Sequence, residues 1–347
     1  MKKVVVIAHD AWSIGRVHHD IGLQLKDEYL FTFYESSNFM MHDFIRDFHE
    51  ADLCITTLLV CDGLIDVCKF TAEKDLRKII AVCHGFEEIL HKNWSPHVNY
   101  ATVSDVLLPF LPHNTHVANN GVYAPHFRRK EHSGKVALLG WGGVLANPNK
   151  MSVRVCEIAR KAKMPVSIAE SLDFQDMEAW YHSLDVLLVT SGPNDYNETG
   201  PLPPFEAIAA GVPVIGTSVG NFRKVPGPKF ATTDEAAAIL RELKSDPDRV
   251  KRLADEQYAW VMQNWTYKTL AGEWKKMFES ILAPPPPKPF LDFIEIGTSD
   301  FETEMEKKDE KIGVSIEPVK YYLDRVPNKV NCKKLNMAVS SQVERAR

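Results

Sequence analysis

Strand-length apolar runs alternate with amphipathic stretches along this chain, and the alternation stops once and then restarts. In the first series KVVVIAH, YLFTFY, DLCITTLL, KIIAVCHG and the ATVSD region read as strands separated by helix-like segments. That pattern specifies βαβ units and a parallel sheet, because the crossover between parallel strands needs a dozen or more residues. A polar segment, residues 123–134, interrupts it with HFRRKEHSG. The second series runs KVALLGWGG (135–143), MPVSIAE, DVLLVTS (185–191) and VPVIGT (212–217), with helices expected over 151–163 and 173–184. Three more helical patterns lie between Thr233 and Leu282. The expected fold class is therefore α/β, with two Rossmann-like halves facing each other across a cleft. Ligands of open parallel sheets bind beyond the carboxyl ends of the strands, so the cleft is the expected site.

Composition narrows the function classes. At 347 residues the chain is long for one core, and a formal net charge of -5, from 41 basic and 46 acidic residues, gives no general reason to expect nucleic acid. No apolar run approaches the roughly 20 residues of a membrane-spanning helix. The opening MKKVVVIAHD reads as a first strand rather than a signal peptide, so a cytoplasmic location is expected, with peripheral contact at a membrane surface left open. Six cysteines, at 54, 61, 68, 83, 156 and 332, lack a Cys-x-x-Cys pair and adjoin apolar segments, which predicts buried free thiols rather than zinc or disulfides.

The chemistry concentrates in ETGPLPPFEAIAAGVPVIGTSVG, residues 198–220. Glu198 is expected in a loop after DVLLVTS, and Glu206 in the first turn of a short helix opened by Pro203 and Pro204, positions where a missing N–H is tolerated. Gly211 ends that helix before the strand VPVIGT. Two carboxylates eight positions apart around a helix start suit a sugar nucleotide: the amides near Gly200, Pro201 and Leu202 would face a diphosphate, and the carboxylates would accept from hydroxyls. The bland alternative makes Glu198 a solvated loop charge and Glu206 a helix acid that complements the dipole. Lys150, after the strand KVALLG and the loop WGGVLANPN, is the candidate cation for a diphosphate. Gly140, Gly142 and Gly143 miss the G-x-G-x-x-G spacing of a dinucleotide fingerprint, so Gly140 either lets phosphates approach the backbone or makes a turn. Trp141 either packs on a base or sugar or covers the core. Asp246-Pro-Asp248 reads as helix capping rather than as a metal site.

These segments resemble the Glu-x7-Glu signature of retaining GT-B glycosyltransferases. EAIAAGVPVIGT is similar to the family's run after the second glutamate, NNGV (119–122) to its interdomain segment, and EAWYHSLDVLLVTS (178–191) to the helix and strand before the motif. The resemblance covers most of residues 1–282. It implies an N-terminal acceptor-side domain, 1–124, joined by the last helix, and a C-terminal domain, 125–282, that binds a nucleotide-sugar donor. Glu198 would then orient the donor sugar and Glu206 hold the ribose. Gly15 and Arg16, expected in a loop before a helix beginning near Val17, resemble the family's glycine-bearing loop near the donor phosphates. His84, at the end of KIIAVCHG, stands where the family often has a histidine near the transferred sugar, although a plain strand-end histidine bonded to backbone fits as well. His18, His19 and His91 are expected at the surface or on the acceptor side. The family usually carries an arginine after the glycine of the KVALLG strand. Here Trp141 stands in its place, which puts the usual two-cation clamp in doubt.

The implied activity is transfer of a hexosyl or pentosyl unit, with retention and without a metal, to a glycan, glycoprotein or lipid-linked acceptor. Rival readings are an epimerase or hydrolase of the same fold, a non-catalytic binding protein, and part of a glycosyltransferase–methyltransferase fusion. After APPPPKP (283–289), an extended spacer by its prolines, residues 290–347 resemble the opening of FkbM-type methyltransferases. A strand carrying Glu295 and Gly297 and a second ending at Glu317 carry that resemblance. The segment is shorter than a full methyltransferase sheet, so S-adenosylmethionine is expected only if it is completed.

Overall fold

The computed structural model describes residues 1–8, 13–71, 76–90, 92, 94–192, 194, 198–283, 293–296, 313–316 and 332–335. Residues 1–283 form one compact unit and residues 284–347 a second.

In the first unit, six parallel strands make an N-terminal sheet: β1 (Lys2–Ala8), β2 (Tyr29–Glu35), β3 (Leu53–Thr57), β4 (Ile79–Cys83), β5 (Asn99–Thr102) and β6 (His116–Val117), in the order β2-β1-β3-β4-β5-β6. Every residue of β3 and β4 is buried, as expected for strands covered on both faces by crossover helices. The helices of this half are α1 (Ser13–Leu25), α2 (Met41–Glu50) and α3 (Leu58–Thr71). The run DLCITTLL is not one strand. It passes at Leu58 from β3 directly into α3, with Thr57 as the cap: its Oγ1 accepts from the Val60 amide at 3.3 Å.

A four-stranded parallel sheet follows, with β7 (Leu139–Gly142), β8 (Val166–Ala169), β9 (Val186–Val189) and β10 (Val214–Gly216) in the order β10-β9-β7-β8. Its helices are α4 (Ser152–Ala162), α5 (Phe174–Ser183), α6 (Leu202–Ala209), α7 (Thr233–Ser245) and α8 (Pro247–Asn264). Local chemistry sets their ends: Thr232 and Glu235 form a reciprocal capping box on α7, and Asp246 caps α8 by accepting from the Arg249 amide at 2.9 Å, the capping role read from the sequence.

The last helix of the unit, α9 (Tyr267–Leu282), packs Trp274, Met277 and Phe278 into the N-terminal core beside Val4, Ile21 and Leu53. Each fully buried side chain of this kind contributes about 1.5–3 kcal/mol. The NNGV segment is pinned to the start of α9: the Val122 amide donates to Trp265 O and the Tyr267 amide to Val122 O, both at 3.0 Å. A Cβ at Gly121 would meet the Trp265 carbonyl oxygen at 2.9 Å, so the close approach requires glycine.

Both sheets reverse their strand order at one point, between β1 and β3 in the first and between β7 and β9 in the second. Crevices at such switch points lie beyond the carboxyl ends of the strands, and these ends carry the residues considered below.

Among the described residues Cys54, Cys61, Cys83 and Cys156 form no disulfide; the first three are buried, whereas Cys156 on α4 is exposed, correcting the expectation that all would be buried. Cys156 follows Val155, which occupies the buried stripe of α4, and so falls on its outer face. No helix among the described residues is long and apolar enough to cross a membrane.

In the second unit, β11 (Phe293–Ile296), β12 (Gly313–Ile316) and β13 (Cys332–Leu335) form a parallel sheet in that order. Glu295 lies on β11, while Gly297 and Glu317 lie outside the described residues.

Candidate active site

Two loops leave the second sheet at its switch point. The one after β7 ends in a 3-10 turn, Pro148–Lys150, and the one after β9 reaches the start of α6. Lys150 Nζ forms an ion pair with Glu198 Oε2, and Ser191 Oγ donates to the same carboxylate oxygen at 3.1 Å. The backbone of the lysine turn is fixed as well, since Thr190 Oγ1 donates to Lys150 O at 2.8 Å. The structure thus brings together Lys150 and Glu198, two residues singled out in the sequence. With Gly142, Thr190 and Pro203 they line a small cavity.

Glu206 is placed differently from expectation. Helix α6 begins at Leu202, so Glu206 falls in the second turn rather than the first and has no free amide to complement. It is 3% exposed. Tyr181 on α5 donates its hydroxyl to Oε2 at 2.8 Å, and Arg16 pairs with Oε1. Burial, followed by the Glu206 charge, pushes the Tyr181 hydroxyl well above its ordinary range, so it remains a donor. Arg16 and Gly15 belong to the first turns of α1, which starts at Ser13 and not near Val17. The Arg16 guanidinium lies 4.2 Å from the centre of the Phe174 ring. It therefore spans the two halves of the unit, from α1 to α5 and α6.

The start of α6 offers fewer donors than a helix N-terminus ordinarily does. Pro201, Pro203 and Pro204 have no N–H, which leaves the Leu202 amide and those of Thr199 and Gly200 before it. Thr199 and Gly200 are held by their carbonyls: Asn120 Nδ2 donates to Gly200 O at 2.7 Å, and the Asn221 amide to Thr199 O at 2.8 Å. Gly220, at φ 42°, allows that approach, because a Cβ there would collide with the carbonyl oxygens of Glu198 and Thr199.

His84 follows β4 directly and faces this loop, with Thr199 Oγ1 donating to His84 O. Nearby, Asn149 Nδ2 donates to Glu87 Oε1 at 2.5 Å. The His84 amide donates to Glu88 Oε1 at 3.0 Å, and its ring Nε2 lies 3.2 Å from His18 Nε2. His18 is fully buried on the inner face of α1, so of the two placements expected for it, at the surface or on the acceptor side, the surface one is not observed. His19 is exposed, and His91 lies outside the described residues. Burial pushes His18 down to about 4; burial and then the adjacent His18 hold His84 well below the ordinary imidazole range.

Two sequence readings are corrected. Trp141 is a strand residue, 2% exposed, whose Nε1 donates to Thr190 Oγ1 at 3.0 Å; of its two readings, the core residue is the one observed. Gly140 lies within β7, where a Cβ would collide with the Leu184 side chain, so it serves strand packing and not phosphate approach. Residues that sequence reasoning missed are Tyr181, Ser191, Thr199, Asn120 and Asn221. Asn221 is fully buried; it accepts from Ser104 Oγ at 2.9 Å and donates to Val103 O at 2.8 Å, tying the halves together.

A family model described as Glycosyl transferases group 1 matches residues 124–245. No curated protein matches the chain. Among solved structures, Anabaena Alr3699/HepE in complex with UDP and glucose is similar over 81% of this chain and 100% of that one, at 13% identity and a TM-score of 0.63. The catalytic domain of starch synthase IV from Arabidopsis thaliana, bound to ADP and acarbose, aligns over 82% of this chain and 100% of its own, at 11% identity and a TM-score of 0.58. AviGT4, a glycosyltransferase involved in avilamycin A biosynthesis, aligns over 81% and 98%, at 15% identity and a TM-score of 0.53. The chain has the GT-B fold, and the matched residues 124–245 include Lys150, Tyr181, Glu198 and Glu206.

Proposed function

We propose that this chain transfers a sugar from a nucleotide-sugar donor to a hydroxyl of a glycan, glycoprotein or lipid-linked acceptor, with retention at the anomeric carbon. The observation that carries the reading is the meeting of Lys150 with Glu198, and of Arg16 with Glu206, at the carboxyl ends of two parallel sheets. Two cations and two carboxylates paired with each other are a site that a diphosphate and sugar hydroxyls can enter by exchange. The diphosphate takes Lys150 and Arg16, and the ribose and donor-sugar hydroxyls donate to Glu206 and Glu198.

In the reaction the bond between the anomeric carbon and the diphosphate oxygen breaks with its electron pair staying on the phosphate. The acceptor oxygen bonds to that carbon from the same face, and its proton passes to the leaving phosphate oxygen. Lys150, Arg16 and the amides of Gly200 and Leu202 meet the charge that develops there, so the route calls on no cofactor. His84 contributes a hydrogen bond to the transferred sugar. Known structures of the fold hold UDP, or ADP with acarbose, which supports a nucleotide-linked donor.

The test is incubation with UDP-, GDP-, ADP- and dTDP-sugars and a panel of glycosidic acceptors, with NMR of the product's anomeric proton. A new glycosidic bond of the donor's own anomeric configuration is the expected result. Release of free sugar at the same rate with and without acceptor would make the protein a hydrolase, and inversion would remove the proposed route.

A further inference from the structure

A fully buried imidazole with one unpartnered nitrogen, set against the proposed active-site histidine, plays no part in the mechanism above. His18 Nδ1 has no hydrogen-bond partner, while His18 Nε2 meets His84 Nε2 at 3.2 Å. We propose that His18 is a positioning residue that donates its Nε2–H to His84 Nε2 and so fixes His84 as the Nδ1–H tautomer, a hydrogen-bond donor to the substrate rather than a base. The inference rests on the transferase reading for its consequence, but not for its geometry.

The contact needs one proton between two nitrogens, so each ring fixes the other's tautomer. Both rings are neutral at pH 7, for burial pushes His18 down to about 4 and holds His84 well below the usual imidazole range. If His84 donated instead, the His18 proton would sit on Nδ1, a buried N–H with no acceptor, and orphaned buried N–H groups are the rarest kind. With His18 donating, its Nδ1 is a bare acceptor and His84 carries its proton on Nδ1. That nitrogen is not among the buried unpartnered atoms, and its residue is partly exposed.

Neighbouring groups hold the arrangement still. The Trp274 ring stands edge-on to His18 with centroids 6.2 Å apart. The His84 backbone is gripped at both ends, its amide by Glu88 and its carbonyl by Thr199. With Nε2 occupied and Nδ1 protonated, His84 has no free lone pair to take a proton from the acceptor. Its role in the reaction is to donate to an oxygen of the sugar, which fits a route in which the leaving phosphate is the base.

The experiment is long-range proton–nitrogen NMR of the full chain labelled at its histidine ring nitrogens, with His18→Gln and His18→Leu for assignment. Expected at pH 7 are His18 as Nε2–H and His84 as Nδ1–H; the reverse pair, or a charged ring, would overturn the proposal. That result stands whether or not the chain transfers a sugar, so failure of the transferase reading is separable. Given activity, His18→Leu should lower kcat about tenfold with KM for the donor unchanged, and His18→Gln, whose amide N–H can replace the donor, should restore most of it. Equal losses in both variants would make His18 a packing residue. If neither variant folds, the wild-type tautomers still decide.

Discussion

The wall of the cleft built by the C-terminal half carries charged groups held by one another, Lys150 with Glu198, and Glu206 beside the Tyr181 hydroxyl. The opposite wall presents His84 backed by His18, two rings whose burial keeps them neutral, with Arg16 as the cation that crosses over to Glu206. The contrast teaches how such a site divides its work. Under the proposed transfer, the charge of a diphosphate would be met by side chains in ion pairs that can exchange partners. The reacting sugar would meet neutral donors on the other wall. Both walls end at the switch points of their sheets.

The largest effect that would break the comparison is expected at Lys150. Lys150→Ala removes the cation proposed to meet the leaving group, and kcat/KM should fall by roughly 10²–10³. A loss below tenfold in steady-state kinetics would show that the charged wall does not act on the leaving group.

Next comes the tie between the walls. Asn221→Ala deletes the bonds to Ser104 and Val103 from a fully buried position and should destabilise the unit by about 1–3 kcal/mol in urea unfolding. An unchanged midpoint would mean the halves are held by their apolar contacts alone.

The third prediction concerns the neutral wall. Burial raises the Glu88 carboxyl to about 7, and Glu88 is the acceptor of the His84 amide. In the folded state its proton is retained to that pH, whereas the unfolded carboxyl loses it near 4.5, so this group's contribution to stability falls as pH rises through that window. Glu88→Gln keeps the acceptor and removes the charge. It should be more stable than the wild type at pH 8, by up to about 3 kcal/mol, with the advantage shrinking toward pH 4.5. A pH-independent difference would place an ordinary charged carboxylate in this wall.

Much of the parallel-sheet pattern was legible because buried strands such as KIIAVCHG and VPVIGT are short apolar runs between polar segments. Legibility failed where that punctuation was missing. Thr57 caps the helix that opens at Leu58 but is as well suited to the strand it ends, and the glycines around Trp141 look like a loop although they close a strand. Glu198, Lys150 and Glu206 stood out because charge next to a helix start or strand end has few structural uses. His18 carried a signal that went unread: with Val17, Ile21 and Leu25 it keeps the spacing of the buried face of α1. Tyr181, Asn120 and Asn221 carried none, since their partners are distant in sequence and a single polar residue has no period.

The central claim, that the charged wall holds a nucleotide-sugar, is tested most directly by thermal unfolding of the wild type and Glu206→Ala against the four nucleotide-sugar families, with S-adenosylmethionine alongside. A ligand at about 100 times its Kd stabilises by ~2.7 kcal/mol, enough to raise the midpoint visibly. The account predicts that one nucleotide family stabilises the wild type and that Glu206→Ala loses most of the shift. A wild type that responds to none of the four, or a Glu206→Ala variant that responds as fully as the wild type, would contradict it.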